Sequence, residues 1–275
     1  MKHALTLSIV IPVYNEENYL KACLESIAKQ TVKPLEVIVV DNNSSDDSML
    51  IAAQFPFVKI LKEPRQHQVF AQTKGFDESK ADILGRIDAD TILPRDWVDK
   101  VIKAFDDEDI VAITGLANPY DVPLKRISLA IFRFYHTRLT KLFTGKTMLW
   151  NSNAAFRSKC WPTIKKQMLI ADNIWEDYEM SFWLAKLGKV KLLPSLKVGC
   201  SFRSIHKGFF TQIAYQFRAI RVFSRHNNKL KTVVFFFAWY TMIPIFVLAV
   251  IDRNLLKLRY KSLKSQNHAD QSKLG

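Results

Sequence analysis

Glycine is scarce, with 8 in 275 residues, and no set of them falls into the G-x-G-x-x-G or G-x-x-x-x-G-K-[ST] spacing that lets a backbone turn cradle a pyrophosphate. A dinucleotide crevice of the usual kind and a P-loop are therefore excluded, and any nucleotide must be gripped by side chains. Cysteine is equally sparse. Cys23, Cys160 and Cys200 are odd in number, far apart and without metal-ligand spacing. This excludes a disulfide framework and a cysteine zinc site and fits a reducing, intracellular compartment. No cleavage pattern follows the opening MKHALTLSIVIPVYNEE, so a signal peptide is not expected. Acids thin out toward the C-terminus: residues 200–275 hold 13 Lys and Arg against only Asp252 and Asp270, within a formal net charge of +14. That basic end lacks the interleaved aromatic face of an RNA reader, so nucleic acid is not expected as a partner.

Apolar patterning is well developed by contrast. Leu7–Val13 is a short continuous apolar run, as expected of a strand buried on both faces of a parallel sheet. Glu17–Lys29 places Leu20, Cys23, Leu24 and Ile27 on one helical face. Strands over Leu35–Val40, Val58–Leu61 and Ile83–Ile87 alternate with helices over Ser48–Gln54 and Val69–Lys80. A helix near Arg95–Phe105 and a strand near Ile110–Thr114 follow. The alternation predicts a doubly wound, mostly parallel α/β sheet.

Beyond Leu116 the rhythm stops. Leu124–Phe143 carries Lys125, Arg126, Arg133, Arg138 and Lys141 without an acid, with Ile127, Ile131, Phe134 and Leu142 roughly on one helical face. That pattern suits either an anionic membrane surface or packing on the sheet. Val233–Ile251 has nineteen residues without a charge, close to the ~20 that cross a hydrocarbon core. Its flanks are basic and Pro244 lies near its middle. A membrane-associated helical segment over 229–261, spanning or re-entrant on the cytoplasmic face, is expected. A disordered tail follows over 262–275.

In open α/β sheets ligands bind at the carboxyl ends of the strands, and here those ends carry carboxylates. Pro12, Tyr14, Asn15 and Glu16 follow the first strand. Asp41 ends the second, inside DNNSSDDS, where it suits either a ligand contact or a turn. Asp88 and Asp90, one residue apart after the fourth strand, repel unless a cation lies between or beside them. Glu176 and Asp177 open a helix with Met180, Trp183, Leu184 and Leu187 on its apolar face and Gly188 as its stop. The helix dipole at that end favours ionised carboxylates. Arg203, Lys207, Arg218 and Arg221 form a basic cluster near His206, suited to a diphosphate or to anionic lipid.

In content and order, SIVIPVYNEENYL, EVIVVDNNSSDDS, the Asp88-Ala89-Asp90 motif followed by TILPRDW, NSNAAFRS and Glu176-Asp177 resemble the family 2 glycosyltransferases of the GT-A fold. The resemblance runs to about Arg225. It implies inverting transfer of a sugar from a nucleotide-sugar donor, UDP-sugar favoured, aided by Mg²⁺ or Mn²⁺. It also implies one catalytic domain over 1–228, with a donor half to about 117 and an acceptor half from 118.

By the same resemblance Pro12, Tyr14, Asn15 and Glu16 hold base and ribose, and Asp41 reads a uracil-type N–H. Asp90 ligates the metal, Asp88 meets ribose or a metal-bound water, and Ala89 between them lines the donor. His206 faces metal or diphosphate, and Arg203, Arg218 and Arg221 are candidates for the diphosphate. Asp177, next to Glu176, is the base that deprotonates an acceptor hydroxyl on a lipid-linked or cell-envelope glycan. The chain departs from the family pattern at Ala71-Gln72-Thr73-Lys74-Gly75, where many members show Ala-Arg-Asn-x-Gly. Lys74 is the cation that remains there for the donor. The Q-x-x-R-W motif of processive relatives is absent, which implies single additions. The alternatives are a polyprenyl-phosphate glycosyltransferase and a non-catalytic basic membrane-binding scaffold.

Overall fold

The computed structural model describes residues 4–121, 129–130, 133–201, 203 and 209–226. Seven strands form one sheet in the order β3-β2-β1-β4-β6-β5-β7. β1 (Leu7–Val13) lies at its heart, parallel to β2 (Glu36–Asp41) and β4 (Ile83–Arg86), with β3 (Val58–Lys62) parallel beyond β2. β1 is buried along almost its whole length, and its pleat sends alternate residues to opposite cores. Ile9, Ile11 and Val13 face the layer of α1 (Leu20–Ala28), α2 (Ser48–Ala53) and α4 (Trp97–Ala104). Val10 faces the layer of α3 (Gln68–Asp77), α6 (Trp161–Gln167) and α7 (Glu176–Leu187). Gly75 on α3 allows this approach, since a Cβ there would stand 2.3 Å from the Val10 side chain.

The sheet departs from the expected parallel arrangement on the far side of β4. β6 (Ala154–Arg157) runs antiparallel to both β4 and β5 (Ile110–Pro119), and β7 (Lys189–Cys200) runs parallel to β5. The NSNAAFRS stretch is thus a 3₁₀ turn, Asn151–Asn153, feeding β6. Asn153 locks that turn in place. Its side-chain oxygen accepts the Trp97 indole N–H at 2.8 Å, and its amide donates to the Leu116 and Leu196 carbonyls at 3.3 and 2.9 Å. Gly115 leaves room for this, because a Cβ there would sit 2.1 Å from the Asn153 amide nitrogen.

A third apolar cluster joins α7 to α8 (Phe209–His226), with Tyr178 and Phe182 against Val222 and Phe223. Glu179, fully buried, fixes the same contact by pairing with His226 at 2.8 Å. Within 124–143 the described pieces are a π-helical turn, Phe134–Leu139, and α5 (Thr140–Thr144).

The expected membrane location is corrected here. Among the described residues no helix is long and apolar enough to cross a membrane. α8, the longest of them at 18 residues, carries Arg218, Arg221 and Arg225. The segment 229–261, with its apolar run 233–251, and the tail 262–275 lie outside the described residues. No described element supports placement on a membrane face.

The turn that carries Ser152 toward the carboxyl edge depends on Asn153, so Asn153→Ala should cost more than a surface change. It removes the partner of the buried Trp97 indole N–H and one donor from each of two strand carbonyls, and a buried donor left unmet costs about 1–3 kcal/mol. A urea titration should show a loss of at least about 2 kcal/mol, and a loss below about 0.5 kcal/mol would contradict this role.

Candidate active site

Because β1, β2, β3 and β4 are parallel, their carboxyl ends emerge along one edge. Side-chain hydrogen bonds there replace the missing glycine turns. Asn15 adopts φ 55°, a conformation asparagine tolerates better than most residues. Its side-chain oxygen accepts the Ser45 amide at 2.8 Å, and the Glu16 amide donates to Ser48 Oγ at 2.7 Å. Asp41 Oδ1 accepts the Ser44 amide at 2.8 Å, so the turn role of this acid is realised. Asn42 ties in the segment after β3 through the carbonyls of Glu63 and Arg65 at 2.9 and 2.7 Å. Pro12 and Asn15 frame this edge, and Tyr14 is half exposed above it.

Asp88 leaves β4 into a turn closed by Thr91, whose hydroxyl accepts the Asp88 amide and whose own amide donates to the Asp88 carbonyl. Ala89 between the two acids is buried in the apolar cluster that includes Ile87 and Leu93. Asp88 Oδ1 accepts from Arg86 at 2.8 Å and Oδ2 from the Ser152 hydroxyl. Burial alone would raise this carboxyl, but Arg86, the Ser152 hydrogen bond and Arg203 outweigh it and hold the group below its ordinary range.

Asp90 is balanced the other way. Burial and the neighbouring Asp88 charge push it up to about 7, against the pull of Arg203. Glu16 is likewise raised by burial, and its Oε2 is buried without a hydrogen-bond partner among the described residues. Arg203 inserts between these acids, with its guanidinium on Glu16 Oε1, 3.5 Å from Asp90 Oδ2 and 4.4 Å over the Tyr19 ring.

Glu176 and Asp177 open α7 and are half-buried. Burial, then the Glu176 charge, push Asp177 up to about 8, and the hydrogen bond from the Tyr178 amide at 3.0 Å does not offset them. Glu176 is raised by burial as well. Both acids sense Asp88 and Arg86, so the start of α7 and the end of β4 share one electrostatic environment.

Not every candidate joins the cluster. Lys74 pairs with Glu78 at 3.3 Å, one turn along α3, beside Lys59. Arg218 meets His67 at 3.2 Å, near the start of α3, and reaches the cluster only through its charge at Glu176, while Arg221 is exposed on α8. His206 and Lys207 lie outside the described residues. Sequence reasoning missed Arg86, Gln72 and Ser152. Arg86 carried a signal, a charge inside a strand that must be buried on both faces.

Among the described residues no three His, Cys, Asp or Glu side chains converge to hold a metal alone. Asp88 and Asp90 nevertheless fit a hard divalent ion that needs one or two carboxylates and takes its other ligands from substrate phosphates. Asp90 and Glu16, both raised chiefly by burial and then by neighbouring carboxylates, would gain from a cation beside them.

Comparison with known proteins agrees with this geometry. The model of the family described as "Glycosyl transferase family 2" matches residues 8–169. The undecaprenyl-phosphate 4-deoxy-4-formamido-L-arabinose transferase of Serratia proteamaculans (strain 568) is 32% identical over 151 residues, 52% of this chain and 45% of that one. The match spans 40–46% of the length of the first three curated relatives.

Among solved structures, a mannosyltransferase from Pyrobaculum calidifontis in complex with GDP-Man and Mn²⁺ superposes with a TM-score of 0.59 at 15% identity. The match covers 92% of this chain and 88% of that one. TarS of S. aureus in complex with UDP-GlcNAc superposes at 0.55 and 15% identity, over 72% and 59%. At such identities these two likenesses show the fold alone, an α/β sheet of the GT-A type. The family match covers more than half of the chain, which belongs to glycosyl transferase family 2.

Proposed function

We propose that the chain moves a sugar, with inversion, from a nucleoside diphosphate sugar to an acceptor hydroxyl. The observation that carries this reading is the shared environment of two carboxylate pairs, Asp88/Asp90 at the end of β4 and Glu176/Asp177 at the start of α7. Asp41 and the Pro12–Glu16 turn take the base and ribose. A base with an imide N–H, uracil or guanine, donates to a carboxylate oxygen at Asp41. Similar proteins solved with GDP-Man or UDP-GlcNAc support this donor class without choosing between them.

The acceptor oxygen attacks the anomeric carbon from the face opposite the diphosphate. Asp177 takes its proton, the bond from that carbon to the phosphate oxygen breaks, and the nucleoside diphosphate leaves with the electron pair. Asp90, with Asp88, would hold a divalent ion, which when bound supplies positive charge to the leaving diphosphate. Arg203 is placed to exchange Glu16 and Asp90 for a phosphate oxygen as the donor enters. A lipid-linked or envelope glycan is the acceptor class we favour. A polyprenyl phosphate is the second reading, favoured by the name of the Serratia relative. A phosphate acceptor is already anionic and needs no base, so the fate of Asp177 separates the two.

Incubation with Mn²⁺ and a panel of UDP- and GDP-sugars should release nucleoside diphosphate. Asp90→Ala and excess EDTA should each remove most of that release while leaving the circular dichroism spectrum unchanged. Full activity in EDTA would eliminate the metal role.

Asp177→Asn should slow transfer by about 10²–10⁴-fold with donor affinity little changed. Because the base works deprotonated, transfer should rise with pH through the Asp177 midpoint, well above the usual carboxylate range, and the variant should lack that limb. Undiminished transfer by Asp177→Asn would move the acceptor to a phosphate.

A further inference from the structure

Arg86 is the one charged residue of β4, 1% exposed, on the strand in the middle of the seven-stranded sheet. Burying a guanidinium there is costly unless its charge is used. Its Nη1 donates to Asp88 Oδ1 at 2.8 Å and its Nε to Gln72 Oε1 at 3.4 Å, while Nη2 is buried without a partner among the described residues. Gln72, fully buried on α3, also accepts from the Asn151 amide at 3.4 Å and points its own amide at Met180 Sδ on α7, 3.7 Å away. The guanidinium is therefore aimed by a residue that touches both the turn before β6 and the helix opened by Glu176 and Asp177. Only one of its three donor groups meets a carboxylate directly.

We infer that Arg86 is a positioning residue whose single buried guanidinium is the shared counter-ion of both sides of the site, fixing Asp88 by contact and Glu176 and Asp177 through its field. The inference rests on the reading of those two pairs as one site. The groups facing Asp177 are Glu176 and Asp88, which disfavour its anion, and Arg86, which favours it; Arg218 adds its charge at Glu176. Arg86 is thus the cation common to all three acids. A guanidinium that served only to satisfy Asp88 would leave Asp177 indifferent to its removal.

The test is a carboxyl ¹³C NMR titration of the full chain in EDTA, without donor, with the Asp177 signal assigned by its loss in Asp177→Asn. Arg86→Gln should move the Asp177 midpoint up by about one pH unit or more, and Arg86→Lys, which keeps the charge, should restore most of that displacement. A folded Arg86→Gln protein whose Asp177 midpoint stays at the parent's value overturns the inference. So does an Arg86→Lys midpoint as high as that of Arg86→Gln.

If Arg86→Gln alone does not fold, the same comparison is made within Asp88→Asn, since removing both partners of a buried ion pair is far less costly than removing one. The midpoint should again rise on adding Arg86→Gln, and no rise overturns the inference. Because the titration uses neither donor nor acceptor, its failure is distinct from failure of the transfer assay that tests Asp177 as base.

Discussion

Negative charge crowded at the carboxyl edge of the sheet is the constraint on which the rest of the site depends. Glu16, Asp88, Asp90, Glu176 and Asp177 come from three separate elements, and all are at least partly withdrawn from water. Two guanidiniums answer them from inside the chain. Arg86 lies beneath, buried in β4, and helps make Asp88 the acid held below its ordinary range. Arg203 reaches in between Glu16 and Asp90 and leaves Asp90 at about 7. In the proposed reaction the cation that accompanies the donor diphosphate would complete this balance.

The unexpected half of the sheet is what brings the second carboxylate pair into range. A fully parallel sheet would carry β5 next to β4 and leave no place for the Asn151–Asn153 turn. With β6 inserted antiparallel between them, the turn before β6 arrives at the same edge as the end of β4, so Ser152 can hydrogen-bond Asp88. The residue next to it, Asn153, is spent on structure. It answers the Trp97 indole and two strand carbonyls, and in doing so sets where Ser152 and Asn151 stand. Scaffold and site are therefore built from adjacent residues with opposite tasks.

Much of the donor side was legible in the sequence, because a strand buried on both faces leaves an unbroken apolar run. Leu7–Val13 was read with its observed limits, and the strand and helix positions through Thr114 agree to within a few residues. β6 escaped notice because four small or mixed residues, AAFR, show no period. β7 escaped because Pro194 interrupts it and its exposure pattern is irregular. Asp41 was read as either a turn acid or a ligand, and its hydrogen bond to Ser44 realises the first without using both oxygens. For Asp177 the sequence pointed to a dipole that favours the anion. Burial and Glu176 depend on tertiary placement, and they win. The basic, apolar C-terminal stretch pointed to a membrane, yet the described helix nearest to it in sequence, α8, carries three arginines and is fastened to α7 by Phe223 and His226.

The central claim is that this edge is completed by a divalent ion arriving together with a nucleoside diphosphate. The most direct measurement is an electron paramagnetic resonance titration of Mn²⁺ into the chain, alone and with UDP or GDP. Two carboxylates, Asp88 already engaged by Arg86 and Asp90 by Arg203, should bind Mn²⁺ weakly by themselves, and one of the two nucleotides should tighten binding by at least about tenfold, a coupling of about 1.4 kcal/mol. Mn²⁺ affinity that neither nucleotide changes would contradict the account.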